Sequence, residues 1–319
     1  MTASTRPVAV LAAGELLIDF ISTDFADTLA GARTFTRLQG GSPANLCLNL
    51  ARLGHATHLA ATVGKDAMGD FLVSNVAATG LPTSGIARSE TPTTLILVTR
   101  SKEVSDFFPY RGADRNLRAD QFPAALLAQT HIFHTTCFAL SVAPAQGVLR
   151  AAAVRAAAAG CRLSIDVNYA QKIWPDQTEA QRIVAEYVAH GALVKCSEVD
   201  WERLYSTPLT DPAAAIGHFL QLGASEVVIT LGEHGCYGGD GGTVIHCPVR
   251  PIAVKDTTGA GDAFWSGYLS GVLDGLPLAD RLLAGRAMAE IKLQHFGPLE
   301  ASVDRARIYA DSADPATNA

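Results

Sequence analysis

Charge is scarce in this chain: only 18% of its 319 residues are Asp, Glu, Lys or Arg. The 25 Lys and Arg are outnumbered by 31 Asp and Glu, a net charge of −6. That excludes the global basic field that draws proteins to nucleic acid, although a locally basic pocket is still allowed. The low charge accompanies 48% hydrophobic residues, so it belongs to a chain with a full core and not to a disordered one. No C-x-x-C pair occurs among Cys47, Cys137, Cys161, Cys196, Cys236 and Cys247, which removes the usual zinc-ribbon and thioredoxin spacings. Six scattered cysteines in a chain of this length read as reduced, mostly buried thiols of a cytosolic protein. No apolar run approaches the ~20 residues of a membrane helix. The run at 8–13 is followed closely by Glu15 and Asp19, which suits a strand and not a signal peptide. No 20–50-residue repeat and no Pro- or Ser-rich linker divides the chain, so residues 1–319 are read as one main domain. The small, polar tail at 311–319 is expected to fray.

What is present is a regular alternation. Short β-rich runs at 8–13, 58–63, 94–99, 131–135, 162–166, 193–195 and 226–230 are separated by helical patterns. The helices are expected at 44–53, 68–78, 144–159, 179–190, 213–221 and 262–273. Strand, helix, strand at this spacing predicts an α/β fold with a parallel sheet covered on both faces. Two stretches, 20–38 and 95–111, are β-prone without an intervening helix. They form either edge strands or a small separate sheet. His131 and His134 lie three apart on a strand and so on opposite faces, which argues against shared metal ligation.

The segment Asp256-Thr257-Thr258-Gly259-Ala260-Gly261-Asp262 is the most chemically pointed. Phe264, Gly267, Tyr268, Gly271 and Val272 follow it at helical spacing, and Gly275 and Pro277 mark the stop. A glycine-rich turn therefore opens a helix, with N–H groups and dipole directed at an anion such as a phosphate. Asp262, in the first helical turn, either complements the helix dipole or takes a hydroxyl proton while phosphate is transferred. The turn lies too late in the chain for a dinucleotide fingerprint. Gly64-Lys65 lacks the flanking residues of a Walker A loop.

Three further segments carry polar groups. In Gly40-Gly41-Ser42-Pro43-Ala44-Asn45, Ser42 reads as an N-cap and Pro43 as the first helical residue. The paired glycines allow a ligand close to the backbone. Asn45 projects from the first turn, either toward a ligand or back to the preceding loop. Glu15 and Asp19 follow the first strand, where α/β sheets bind ligands, or are simply solvated acids. Asp106-Phe107-Phe108-Pro109-Tyr110-Arg111 either closes over a sugar-sized ligand or packs on itself as an edge.

Together the two glycine segments resemble the signatures of the ribokinase-like sugar kinases, the phosphofructokinase-B family. Cys47 stands where a smaller residue is usual. Thr62-Val63-Gly64-Lys65-Asp66 with Gly69, Asp166-Val167-Asn168 and Thr230-Leu231-Gly232-Glu233-His234-Gly235 fit as intermediate landmarks. The resemblance implies a three-layer α/β/α fold with a mostly parallel sheet, and a small β lid from about 15–39 and 91–113. It implies transfer of the γ-phosphoryl of ATP to a sugar hydroxyl. Asp262 would be the base, and the N–H groups of Gly259, Ala260 and Gly261 the anion hole. Asp19, Gly40, Gly41, Asn45, Arg111 and Asn168 would meet the sugar. Ser197, Asp200, Thr230, Gly232 and Gly235 would lie along ATP, although Ser197 and Asp200 differ from the family's usual Asn and Glu. Mg²⁺ would arrive with ATP, and Asp256 and Thr258 match a loop that binds potassium in several members. Sugar and ATP are the implied partners, with neither nucleic acid nor membrane, and the lid implies a homodimer.

Within the family the chain looks most like fructokinases, on Gly-Gly-Ser-Pro-Ala-Asn, Thr91-Pro92-Thr93-Thr94-Leu95 and Tyr110-Arg111-Gly112-Ala113-Asp114. The rival is 2-keto-3-deoxygluconate kinase, which shares Asp166-Val167-Asn168-Tyr169 but follows it with an Arg for the acid's carboxylate. Here Ala170 follows, which favours a neutral sugar unless Arg111 or Lys172 substitutes. Other sugar or nucleoside kinases of the family, and a non-catalytic relative kept for binding, remain alternatives.

Overall fold

The computed structural model describes residues 6–100, 106–299 and 301–310. The tail expected to fray and residues 101–105 of the second β-prone stretch lie outside the described residues. The chain starts with β1 (Val8–Ala13), β2 (Leu17–Phe25), β3 (Phe35–Gly40), α1 (Ser42–Arg52), β4 (Thr57–Gly64), α2 (Ala67–Ala78), β5 (Ile86–Ser89), β6 (Leu95–Arg100) and β7 (Phe107–Tyr110). There follow α3 (Ala124–Ala128), β8 (Thr130–Thr136), α4 (Cys137–Leu140), α5 (Ala145–Ala158), β9 (Arg162–Asp166), α6 (Gln177–Val188), β10 (Leu193–Ser197), α7 (Glu198–Tyr205) and α8 (Pro212–Gln221). The last part is β11 (Glu226–Thr230), β12 (Cys236–Gly239), β13 (Val244–Cys247), α9 (Ala260–Leu273), α10 (Leu278–Leu293) and α11 (Arg305–Ile308).

Among the described residues, nine strands form one sheet in the order β13-β12-β11-β10-β9-β8-β1-β4-β5. All pairings are parallel except β11–β12 and β12–β13. Successive strand residues enter opposite cores, as the two-residue strand period requires. Leu11, Val227 and Ile229 pack with Leu149, Ile183 and Phe219 on one face. Val10, Ala12 and Val228 pack with Leu46, Leu72, Trp265 and Leu282 on the other. This is the expected three-layer α/β/α architecture.

The two β-prone stretches that lacked a helix meet in a second sheet of four strands, ordered β3-β2-β6-β7. Its base is braced by the pieces that resembled fructokinases. The Thr94 hydroxyl donates to Asp114 and accepts from Gly112 N–H. A side chain at Gly112 would start 2.1 Å from the Pro92 carbonyl oxygen.

Several elements went unread in the sequence: β5, α7, the β12–β13 hairpin and α10. Pro277 was taken only as a stop for α9, yet it is also the extended residue that caps α10. α9 and α10 pack closely at glycines: a Cβ on Gly267 would lie 2.4 Å from the Ala284 carbonyl oxygen. Ser42 is not the N-cap of α1. Gly41 takes that position at φ 105° with no side-chain cap, and Ser42 enters the helix with its hydroxyl free for another task.

Candidate active site

The C-terminal ends of β1, β8, β9, β10 and β11 share one edge of the sheet, and the N-termini of α1 and α9 converge beside it. Gly259 stands before α9 in the left-handed conformation at φ 74°, which lets the turn present its N–H groups at the helix start. Asp262 follows in the first turn, half-buried.

Two residues of α1 hold the Asp262 carboxylate. Ser42 Oγ donates to Oδ1 at 2.6 Å and Asn45 Nδ2 to Oδ2 at 2.8 Å. Burial pushes the Asp262 carboxyl up. The Ser42 and Asn45 hydrogen bonds and the charges of Lys195 and Lys292 pull it back. Asn45 was expected at the sugar; its amide is already engaged by Asp262, and it lines the same cleft as Asp19.

The paired glycines serve packing as well as access. A Cβ on Gly40 would sit 2.0 Å from Asp19 Oδ2, and one on Gly41 would sit 2.3 Å from the Glu15 carbonyl oxygen. What approaches this backbone is thus the Asp19 carboxylate and the end of β1. Burial, with the neighbouring Asp262 charge, pushes Asp19 up to about 7. Glu15 is not a solvated acid. It is only 2% exposed and accepts from Ser42 N–H at 3.2 Å and Thr136 Oγ1 at 3.2 Å. Burial drives its pKa to about 8 against the Arg111 charge.

Lys195, at 4% exposure in the middle of β10 between Val194 and Cys196, was not singled out in the sequence. Its ammonium donates to both Asp166 oxygens, at 2.9 and 2.8 Å. A side chain on Gly261 would begin 3.3 Å from that nitrogen, so a charge lies directly behind the glycine turn. Burial opposes that charge, but Asp166 and Asp200 outweigh it and Lys195 is held protonated. A lysine buried in a central strand demands a counter-ion, and Asp166 at the end of the adjacent strand was the available sequence signal.

The expected nucleotide residues gather on the same edge with tasks of their own. Ser197 and Thr230 are register partners on β10 and β11. Asp200 is engaged within α7: it accepts from Ser197 N–H and Oγ–H, and from Tyr169 N–H at 3.0 Å. Ser197 and Asp200 form the reciprocal N-terminal cap of α7. Asp200 also shapes the turn carrying Asn168, which is exposed at φ 33°. Gly232 and Gly235 have positive φ in the loop after β11. Arg111, expected at the sugar, spends its guanidinium on Asp114 (2.8 Å from Nε), Ser141 (2.8 Å) and the Phe138 ring (4.0 Å). The alternative cation, Lys172, donates to Asp106 at 2.6 Å. Asp256 meets Lys292 Nζ at 3.3 Å, in the place where the sequence pointed to potassium.

Residues 9–305 match the model of the pfkB family carbohydrate kinases. The chain belongs to that family, with a ribokinase-like fold, and is a sugar kinase by class. It is 31% identical over 290 residues to an ATP-dependent 6-phosphofructokinase of Thermoanaerobacterium thermosaccharolyticum, covering 91% of this chain and 89% of that protein. Halothermothrix orenii fructokinase superimposes with a TM-score of 0.79 at 32% identity, over 92% of this chain and 100% of that one. The fructokinase of Xylella fastidiosa, solved with bound ATP, gives 0.83 at 26% identity, over 95% and 97%.

Proposed function

We propose that this chain is an ATP-dependent fructokinase that transfers the γ-phosphoryl of ATP to a hydroxyl of fructose. The observation that carries the reading is the Asp262 carboxylate, fixed by Ser42 and Asn45 at the N-terminus of α9 immediately after the glycine turn. In the proposed step the sugar oxygen attacks the γ-phosphorus and the bond to the ADP oxygen breaks. Asp262 takes the hydroxyl proton. The N–H groups of Gly259, Ala260 and Gly261 meet the charge that spreads over the phosphoryl oxygens. Lys195 supports that turn from behind. Mg²⁺ arrives as the Mg-ATP complex and neutralises phosphate charge. Asp19, across the cleft, bonds sugar hydroxyls.

A neutral sugar is favoured because Arg111 and Lys172, the two cations that would substitute at an acid's carboxylate, are both engaged by carboxylates of the protein. The similarity to a 6-phosphofructokinase keeps a sugar phosphate as the second reading. We assign the four-stranded sheet as a lid on a single kinase domain that excludes water during transfer. Phe108 and Tyr110, half exposed on one face of β7, support pairing of that lid with a second copy. The six free, buried thiols support a cytoplasmic location.

The test is ADP release from Mg-ATP with fructose, fructose 6-phosphate, 2-keto-3-deoxygluconate, ribose and adenosine. Fructose is expected to be preferred, and Asp262→Asn to lose ~10²–10⁴-fold in turnover. Undiminished turnover in Asp262→Asn refutes the mechanism. Silence with every acceptor points to the non-catalytic relative.

A further inference from the structure

Lys292 has no place in the reading above, yet it is buried beside the reacting turn. It sits in the last turn of α10 with its side chain 6% exposed. Its ammonium lies 3.3 Å from Asp256 Oδ2 and 3.4 Å from the His295 carbonyl oxygen. The Asp256 carboxylate is otherwise taken up by Thr258 N–H at 2.9 Å and Gly297 N–H at 3.0 Å. The Lys255 N–H donates to Leu293 at 2.8 Å, which ties this loop to the end of the helix. A side chain on Gly259 would begin 3.8 Å from Lys292 Cε. The Lys292 side chain therefore stands immediately beside the glycine turn proposed to receive the phosphoryl group.

A potassium ion at this loop requires a shell of carbonyl and carboxylate oxygens in place of its water. Here the carboxylate and one carbonyl are already spent on an ammonium, and a second cation beside it meets like-charge repulsion. The residues present do not fit potassium. We propose that Lys292 is a built-in cation that does the work of a monovalent ion at this turn, so that the protein binds nucleotide and transfers phosphate without potassium. Lys292 is a positioning residue in this account: it holds Asp256 and the turn, and lends the turn a fixed positive charge. An ordinary helix-end ion pair has the same geometry, so the two must be separated by cation response.

The turnover arm of the test rests on the sugar-kinase reading, and the other arms do not. Protein is exchanged into tetramethylammonium chloride and compared with about 100 mM KCl at constant ionic strength, because exposed pairs are screened alike in both. The readouts are the unfolding midpoint, calorimetric binding of a magnesium complex of a non-hydrolysable ATP analogue, and sugar turnover. Wild type is expected to change by less than about twofold with KCl. In Lys292→Ala, nucleotide affinity is expected to fall about tenfold or more, as for loss of a charged hydrogen-bond partner. KCl is expected to restore part of that loss and to raise the midpoint. Lys292→Arg keeps the charge and is expected to ignore KCl. Lys292→Met, which keeps the apolar stem, shows by its circular dichroism whether loss of charge alone unfolds the protein. Strong potassium stimulation of wild type overturns the proposal. So does a folded Lys292→Ala that loses no affinity and ignores KCl. If no sugar is turned over, the binding and melting arms still decide the matter.

Discussion

Removing the Ser42 hydroxyl is expected to raise the pKa of Asp262 and carry the acid limb of the rate profile with it. The Ser42 Oγ–Asp262 Oδ1 distance is 2.6 Å, and a hydrogen bond to a charged group contributes about 1.5–3 kcal/mol. At about 1.4 kcal/mol per pKa unit, losing a bond made mainly to the ionised form raises the pKa by ~1–2. Asn45, Lys195 and Lys292 stay in place, which sets the expectation near the lower figure. The assay is kcat/KM for the preferred sugar from about pH 5 to about 9, where its acid limb reports the free enzyme's base. Ser42→Ala should shift that limb upward by ~1 unit and leave the high-pH plateau nearly unchanged. Asp19, pushed up to about 7, titrates in the same range, so the comparison is repeated in Asp19→Asn. A variant whose activity falls equally at every pH, with the limb unmoved, would falsify the reasoning, since the hydroxyl would then act by placement alone.

Three other outcomes follow from the same geometry. Glu15, only 2% exposed, has its pKa raised by burial to about 8. Its stabilising contribution is complete below the unfolded carboxyl pKa and is lost as pH rises through about 8. Glu15→Gln should abolish that decline, a difference on the order of 5 kcal/mol at high pH, read from denaturant titrations at several pH values. Gly40→Ala puts a methyl 2.0 Å from Asp19 Oδ2. It should cost ~1–3 kcal/mol of stability and raise the sugar KM, and normal values of both would show that Asp19 moves without penalty. Lys195→Met leaves Asp166 buried and unpaired and should cost ~3–5 kcal/mol, most of it recovered in Lys195→Met with Asp166→Leu. A double variant as unstable as the single one would mean that the pair does more than cancel its own burial.

The large sheet was legible because its strands and helices carry local signals. Alternation of apolar runs with helical spacing located β1, β9 and β11 at their observed bounds and α9 to within two residues. The small sheet was visible only as an anomaly, since its pairings join segments far apart in the chain: Leu17–Phe25 with Leu95–Arg100. The site was half legible. Asp262 and the glycine turn sit in one contiguous segment. Ser42 looked like an ordinary cap, because a serine at a helix start usually serves its own helix. Its true partner lies 220 residues away in the chain. Arg111, Ser197 and Asp200 were read from motif position, which does not show the protein partners they engage: Asp114 and Ser141 for Arg111, and each other for Ser197 and Asp200.

Those distant partners resolve an electrostatic difficulty in the site. Glu15, Asp19, Asp166 and Asp262 all gather at one end of the sheet, where the proposed reaction would also bring a negatively charged nucleotide. Burial pushes all four carboxyls toward the neutral form, and a neighbouring acid adds to it at Glu15, Asp19 and Asp166. Positive potential comes from three directions. The N-terminus of α9 faces the cleft, Lys195 lies behind Gly261, and Lys292 lies behind Gly259. Both lysines draw Asp262 toward its ionised form, the form a base requires. The same charges favour the phosphates. Under the proposed function, carboxylates that alone would repel a nucleotide are thereby offset, and the cations that offset them are buried in the protein.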